Sequence, residues 1–386
     1  MMNKGKKRPA IILVVMLSLL AGSCVTPYEA DTEEEPDLIS IEGSLIKGDA
    51  EQRVTITRTT SLHRPMFLSV PGCQVTVIDE LDNSHEFREI EDGVHTAFIP
   101  DEQLVIGRHY KLRVITPAAE VYESDYEPLN GGIEVDSVYH EVEQRVDATT
   151  GEQYSGVQFF LDLKAAESES RYFRWRLEET FEFTSFGPIS YFYMDESLTP
   201  VYPADSWAVY RCWKSEEVEG LYLSSTLNLT VNEKKKIRLN FVSDRTEQLR
   251  VLYRLQVSQY ALSEDAYHYF EYNRIAAQES GGLYTSQPRQ PLTNIQNTGD
   301  DTERVLGYFW VSTRTTKQIF LETPEGMEVD PEYCHYAEFS PMEDGEGPFP
   351  VYIYEDLERG IKYTSKLYCF DCTMRGGVNV KPGNWR

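Results

Sequence analysis

The sequence predicts an all-β chain: an N-terminal immunoglobulin-like β-sandwich, then a larger antiparallel β-sandwich domain with one inserted helix. Three observations carry this. Apolar and polar residues alternate with a period of two along most of the chain, as half-buried strands require. Clusters such as Pro71-Gly72 and Glu91-Asp92-Gly93 interrupt those runs at short intervals. One segment alone, near residues 264–279, switches to helical spacing. At 386 residues the chain also exceeds a typical single core, so two domains are expected.

The first element is not part of either domain. Lys4, Lys6, Lys7 and Arg8 precede the apolar run Ile11 to Leu20, which ends in Ala21-Gly22-Ser23-Cys24. The run is shorter than the roughly 20 residues a membrane span needs and reads as an export signal. It resembles bacterial lipoprotein signals, in which the cysteine is lipidated and becomes the first residue. Ala21 stands where the usual box has Leu, and Leu20 lies one place further back. Residues 1–23 are therefore assigned as a lipoprotein signal peptide, with Cys24 as the lipidation site. The competing reading is an ordinary secretory signal cut near Ala21, with Cys24 a spare thiol. Residues 24–37 hold Glu29, Asp31, Glu33, Glu34, Glu35 and Asp37 and form an acidic, self-repelling tether. Its placement resembles the surface-export signal of Bacteroidota lipoproteins, although a linker in so acidic a chain could share this composition.

Residues 38–130 form the first sandwich. Ile39 and Ile41, Val54 and Ile56, Val75 and Val77, and Tyr110, Leu112 and Val114 each alternate with polar neighbours. No Cys-Trp-Cys pattern is present, so antibody-type membership is not expected. Cys73 shares a face with Val75 and Val77 and is expected as a buried free thiol. His63, His85, His95 and His109 match no compact ligand spacing, so they read as scattered surface residues and not as a metal site.

Asn130-Gly131-Gly132 ends that unit, and residues 131–386 form the second. Its strands are longer and more aromatic: Val157 to Leu163, Phe173, Trp175 and Leu177 against Arg174 and Arg176, Ile237 to Phe241, and Val251 to Val257. Ser263-Glu264-Asp265 is a helix start, with Ala266, Phe270, Asn273 and Ala277 on one face and Gly281-Gly282 as the stop. Such a helix must pack its apolar stripe on a sheet.

Composition excludes some functions. The net charge is −26, and removal of the four basic residues in 1–23 takes it to −30. Nucleic acid is excluded as a partner because phosphate binding needs a concentrated basic surface. An anionic membrane surface would repel the chain, so attachment must come from lipid, and two or more acyl chains anchor stably where one does not. No G-x-S-x-G, H-E-x-x-H, P-loop or Rossmann glycine pattern occurs, and no catalytic residue, cofactor or metal is assigned. Glu216-Glu217 and Asp300-Asp301 read as solvated turns.

With Cys24 lipidated, five cysteines remain, so at least one is unpaired within the chain. Cys369 and Cys372 could pair with each other, or either could pair with Cys212 or Cys334, in an oxidising compartment. A redox or zinc role for Cys369-x-x-Cys372 is the weaker alternative.

Tyr210-Arg211-Cys212-Trp213, Gln256 to Tyr267, Gln287-Pro288, Asn294 to Asn297, Val305 to Phe309 and the closing Cys369 to Cys372, Gly376 to Asn379 and Pro382 to Trp385 form an ordered series. This series resembles the Bacteroidota family known as domain of unknown function 4249. The resemblance covers essentially the whole mature chain. It implies an outer-membrane surface lipoprotein of the kind often encoded beside a TonB-dependent receptor, and it implies no established activity.

The expected function is that of a non-enzymatic accessory or substrate-binding partner of such a receptor, with its ligand unknown. The alternatives are a surface adhesin or structural lipoprotein, and a surface glycan or peptide hydrolase. The candidate binding surface is Phe186, Tyr191, Tyr193, Tyr202, Trp207 and Tyr210, interleaved with glycine and proline. A long hairpin packed on its own domain would explain the same residues.

Overall fold

The structure is a computed structural model that describes residues 37–60, 68–167, 169–185, 187–279, 292–329, 334–341 and 350–386. Alternation in the sequence becomes two faces in space. Strand β1 (Ile39–Lys47) buries Ile39, Ile41 and Leu45 and turns Glu42 and Ser44 outward. Strands β2 (Glu51–Arg58), β3 (Gln74–Asp79), β4 (Ser84–Glu91), β5 (Val94–Phe98), β6 (His109–Ile115) and β7 (Val121–Ser124) follow. They are hydrogen-bonded in the order β1-β2-β5-β4-β3-β6-β7. This run brings Val54 and Ile56 of β2 into one core with Val75 and Val77 of β3 and Leu112 and Val114 of β6.

That core also draws on residues far along the chain. Ile295, Val305, Phe309 and Val311 belong to it, the strand Ile295–Asn297 pairs with β7, and the strand Phe309–Glu322 runs parallel to β1. The segment 38–130 thus needs residues 295–311 to complete its sandwich. The physical reason is the edge of β1, whose open N–H and C=O groups require a partner. Periodicity shows that a strand is half-buried but does not identify its neighbour.

Beyond Gly132 the strands are β8 (Ser137–Val146), β9 (Gln153–Lys164), β10 (Tyr172–Thr184), β11 (Tyr191–Met194) and β12 (Ser197–Pro200). Helix α1 (Pro203–Ala208), β13 (Arg211–Ser225), β14 (Glu233–Ser243), β15 (Leu252–Ala261) and helix α2 (Glu264–Glu279) come next. The chain continues with β16 (Ile295–Asn297), β17 (Phe309–Glu322), β18 (Val351–Asp356), β19 (Ile361–Thr364) and the short helix α3 (Leu367–Phe370). A sheet β8-β9-β14 faces a second layer, β13-β10-β15-β17. Between them Val157, Phe159, Leu161 and Leu163 meet Phe173, Trp175, Leu177, Leu255 and Val257, and the Phe159 and Tyr253 rings stack at 5.3 Å. This is the second, all-β sandwich. Because β17 also pairs with β1, the two sandwiches share one continuous sheet. A third sheet, which the sequence does not separate from the second domain, joins β12, β11, β18, β19 and Ala337–Glu338.

Helix α2 lies on the outer face of the shared sheet. The Ser263 hydroxyl accepts from the Ala266 N–H at 3.1 Å, satisfying one free donor of the first turn. Ala266 and Phe270 are buried against Ile46, Tyr260, Leu262 and Tyr308. The stripe does not run the whole length, because Asn273 is half-buried beside a cavity and Ala277 is exposed. Gly281-Gly282 lie outside the described residues. At the foot of the helix Glu127 is 3% exposed. It accepts from Ser263 Oγ at 2.6 Å and from the Tyr308 hydroxyl at 2.5 Å. Burial nevertheless raises its carboxyl above the ordinary range.

Cys73 is buried and unpaired, with its thiol pushed up to about 11 by burial. The histidines are not all surface residues. His95 is fully buried, with Nε2 3.0 Å from the Cys73 carbonyl, so it is a core residue and not a surface one. His109 pairs with Glu80 at 3.0 Å, His85 is half-buried, and His63 lies outside the described residues.

The β1–β17 junction depends on Gly307, which has φ +91° and leaves 2.1 Å between a built Cβ and the Ile41 carbonyl oxygen. Gly307→Ala is expected to cost more than about 2 kcal/mol in urea unfolding; an unchanged midpoint would count against the junction. Glu127, with a folded pKa above its ordinary 4.5, binds its proton more tightly folded than unfolded. Its contribution is therefore fully present below about 4.5 and lost as pH rises through the raised value. Across that window the stability of Glu127→Gln is expected to rise relative to the wild type, as read by thermal melts at stepped pH.

Candidate functional site

The aromatic segment chosen from the sequence divides into anchors and displayed residues. Tyr193 is buried and packs edge-on against Phe339 at 5.1 Å. Tyr191 is half-buried and donates its hydroxyl to Glu355 at 2.9 Å. Tyr210 is half-buried with Trp207 edge-on at 4.7 Å. Phe186 lies outside the described residues. Of the described candidates only Tyr202, 79% exposed, and Trp207, 55% exposed, face solvent, and Met194 and Leu198 of the preceding hairpin are exposed as well. The hairpin reading thus accounts for β11 and β12, while α1 carries the displayed part.

Two disulfides fix this region. Cys212 bonds Cys372 and Cys334 bonds Cys369, each with Cα atoms 5.8 Å apart. Cys369 and Cys372 do not pair with each other. Cys369 sits on α3 and reaches Cys334 in the segment before Ala337–Glu338, and Cys372 sits on the turn after α3 and reaches Cys212 of β13. The C-terminal tail then runs beside α1: the Cys372 N–H donates to the Val209 carbonyl at 2.9 Å, and the Asn379 amide to the Ala208 carbonyl at 3.0 Å. Farther on, the Trp385 indole donates to Glu182 at 3.0 Å.

A second concave region lies on the outer face of the shared sheet beside α2. One cavity of about 400 Å³ is lined by Glu42, Ser44, Arg53, Arg174 and Trp310, among others. A neighbouring one of about 310 Å³ shares Arg176 and Glu217 with it and adds Asp49 and Arg314. Strand alternation produces this face, because Phe173, Trp175 and Leu177 are committed to the core and Arg174 and Arg176 must point away from it. Arg176 forks onto Glu217 at 2.9 and 2.8 Å, which holds the Glu217 carboxyl below its usual range. Arg314 pairs with Asp49 at 2.7 Å, yet burial outweighs that partner and raises the Asp49 carboxyl.

Arg174 differs from its neighbours. Its guanidinium lies 4.0 Å from the Phe270 ring centre and 5.1 Å from that of Trp310, and it makes no hydrogen bond or ion pair with any described residue. Burial, and next the charge of Arg176, pull it down to about 10, so it remains a cation at neutral pH. The arrangement offers donors and ring faces to a ligand.

The sequence alternation exposes Arg174 and Arg176 as outward residues, but Arg53 and Trp310 are placed beside them only by the pairing of β1 with β2 and β17. Glu216-Glu217, read as a solvated turn, lies within β13, where Glu217 faces Arg176. Asp300 does sit in a turn, accepting from the Thr302 N–H at 3.0 Å. Among the described residues no group of three or more His, Cys, Asp or Glu is arranged to hold a metal ion, and no helix is long and apolar enough to cross a membrane.

A family model described as "Domain of unknown function (DUF4249)" matches residues 25–318. No curated protein matches the chain. Among solved structures, the crystal structure of a DUF4785 family protein from Legionella pneumophila subsp. pneumophila str. Philadelphia 1 is similar at 11% identity and a TM-score of 0.16. The likeness covers 57% of this chain and 51%, about half, of that one.

Peptide mapping of the non-reduced protein is expected to recover Cys212–Cys372 and Cys334–Cys369; a Cys369–Cys372 peptide would contradict the pairing. Cys372→Ser opens a bridge between residues 160 apart in sequence. It is expected to destabilise the protein by about 2–5 kcal/mol, read as a lower Tm than that of the oxidised wild type.

Proposed function

The chain belongs to the DUF4249 family, and on that premise we propose that it is a lipid-anchored protein of the Bacteroidota outer-membrane surface. There it acts without catalysing a reaction, as an accessory or substrate-capturing partner of a TonB-dependent receptor. Cys24 carries the anchor, and the acidic tether 24–37 holds the folded part clear of the bilayer. Export accords with two disulfides, which persist in oxidising compartments.

The observation that carries the partner reading is the display of Tyr202 and Trp207 on a segment pinned by the disulfide-bonded C-terminal tail. Large aromatic side chains on a rigid support give contact area at small entropic cost, which is how interface anchors work. Tyr210 supports Trp207 edge-on, while Tyr191 and Tyr193 tie the preceding hairpin to Glu355 and Phe339.

The test is a mild-detergent pull-down of the tagged protein from its native outer membrane, with mass spectrometry of what is recovered. Stoichiometric recovery of a TonB-dependent barrel is expected, and Tyr202→Ala with Trp207→Ala should reduce it at least about tenfold with an unchanged melt. Recovery of the protein alone, under detergent in which other receptor complexes survive, would overturn the reading. An unaltered yield from the double variant would remove these residues from the contact.

A further inference from the structure

We propose that the groove between α2 and the outer face of β10, β17, β1 and β2 binds a singly charged carboxylate carried on a ring-shaped organic molecule. In this site the Arg174 guanidinium takes the carboxylate. The site is separate from the Tyr202–Trp207 surface, and the proposal does not depend on the receptor reading.

Charge in this chain is unbalanced. The chain has 63 acidic residues against 37 Lys and Arg, so an arginine has carboxylates in excess around it. The nearby arginines use them: Arg176 holds Glu217, Arg314 holds Asp49, Arg254 holds Glu178 and Arg274 holds Glu271. Arg174 holds none among the described residues. Phe270 and Trp310 compensate its charge through their ring faces, which leaves its N–H donors unused. A desolvated guanidinium with open donors at a cavity wall matches the fork geometry of a carboxylate.

The walls narrow the ligand class. Arg53, Arg174 and Arg176 against Glu42 and Glu217 leave one uncompensated positive charge, which suits one negative charge and disfavours two. Arg53 is exposed at the groove and has no ion-pair partner among the described residues. Tyr269, Phe270 and Trp310 supply aromatic surface beside the cation, and the hydroxyls of Ser44, cross-strand from both Trp310 and Arg53, and of Thr55 line the same groove with no partner among the described residues. A volume of about 400 Å³ accommodates a small ring compound. A carboxylated sugar ring and an aromatic acid both present this chemistry, and the probes below separate them.

The experiment is isothermal titration of the detergent-solubilised full chain with glucuronate, benzoate, glucose and inorganic phosphate. Saturable binding of glucuronate or benzoate is expected, with glucose and phosphate each at least about tenfold weaker. Preference for glucuronate assigns the sugar acid, and preference for benzoate the aromatic acid. Arg174→Gln should weaken the bound carboxylate at least about tenfold. Arg53→Gln, an exposed change expected to leave the melt intact, should weaken it roughly threefold through lost attraction, and it decides the matter if Arg174→Gln does not fold. The proposal is overturned if neither carboxylate saturates, if phosphate binds as well, if a folded Arg174→Gln binds as the wild type does, or if Arg53→Gln leaves the affinity unchanged. The receptor pull-down reads a different surface and is unaffected by any of these outcomes.

Discussion

The architecture rests on the parallel pairing of β1 with β17. The Ile41 N–H donates to the Leu306 carbonyl at 2.9 Å and the Gly43 N–H to the Tyr308 carbonyl at 3.1 Å, and the ladder then continues from Phe309 to Thr313. The stretch from Tyr308 through β17 serves three environments as a result. Phe309 and Val311 enter the first core, Leu321 enters the second, and Tyr308 and Trp310 turn to the outer face. Without this ladder β1 would be a bare edge and the first core would lack two of its large side chains. The close approach leaves no room for a side chain at Gly307, so a backbone contact sets the residue there.

Helix α2 follows from that face. Once Tyr260, Tyr308 and Ile46 lie on the outside of the sheet, their apolar surface needs a cover, and Ala266 and Phe270 supply it. Glu127 fixes the position of the cover by accepting hydrogen bonds from the helix cap at Ser263 and from Tyr308 just ahead of β17. The helix covers only part of the face. The remainder is the arginine groove, whose polar wall and aromatic floor are both consequences of where α2 stops being buried. The groove thus spans strands of both sandwiches.

The C-terminal region is stabilised differently. Its strands are short: β11, β12 and β19 have four residues each. Among the described residues there, few large side chains are fully buried, although Ile353 and Phe370 are. Two disulfides and a series of backbone contacts to Val209, Ala208 and Trp213 take over the task that burial performs elsewhere. Such cross-links act on the unfolded chain as much as on the folded one. They hold a small aromatic segment in place without enclosing it, which is what a contact surface needs.

Local chemistry is legible in this sequence. The period of two fixed which side chains of β1, β6 and β10 are inward, Ser263 marked the start of α2, and Cys73 stood out as a buried thiol by its neighbours. Each of these depends on residues a few places apart. What the tertiary structure alone decided are relations between distant residues: β17 beside β1, Cys212 with Cys372, His95 in the core, and Arg174 left among rings while Arg176 received Glu217. Alternation specifies a face but carries no record of which strand lies next to it, because any half-buried strand satisfies the same pattern. The pairing, and with it the groove, was settled by the competition among all edges for partners in the folded chain.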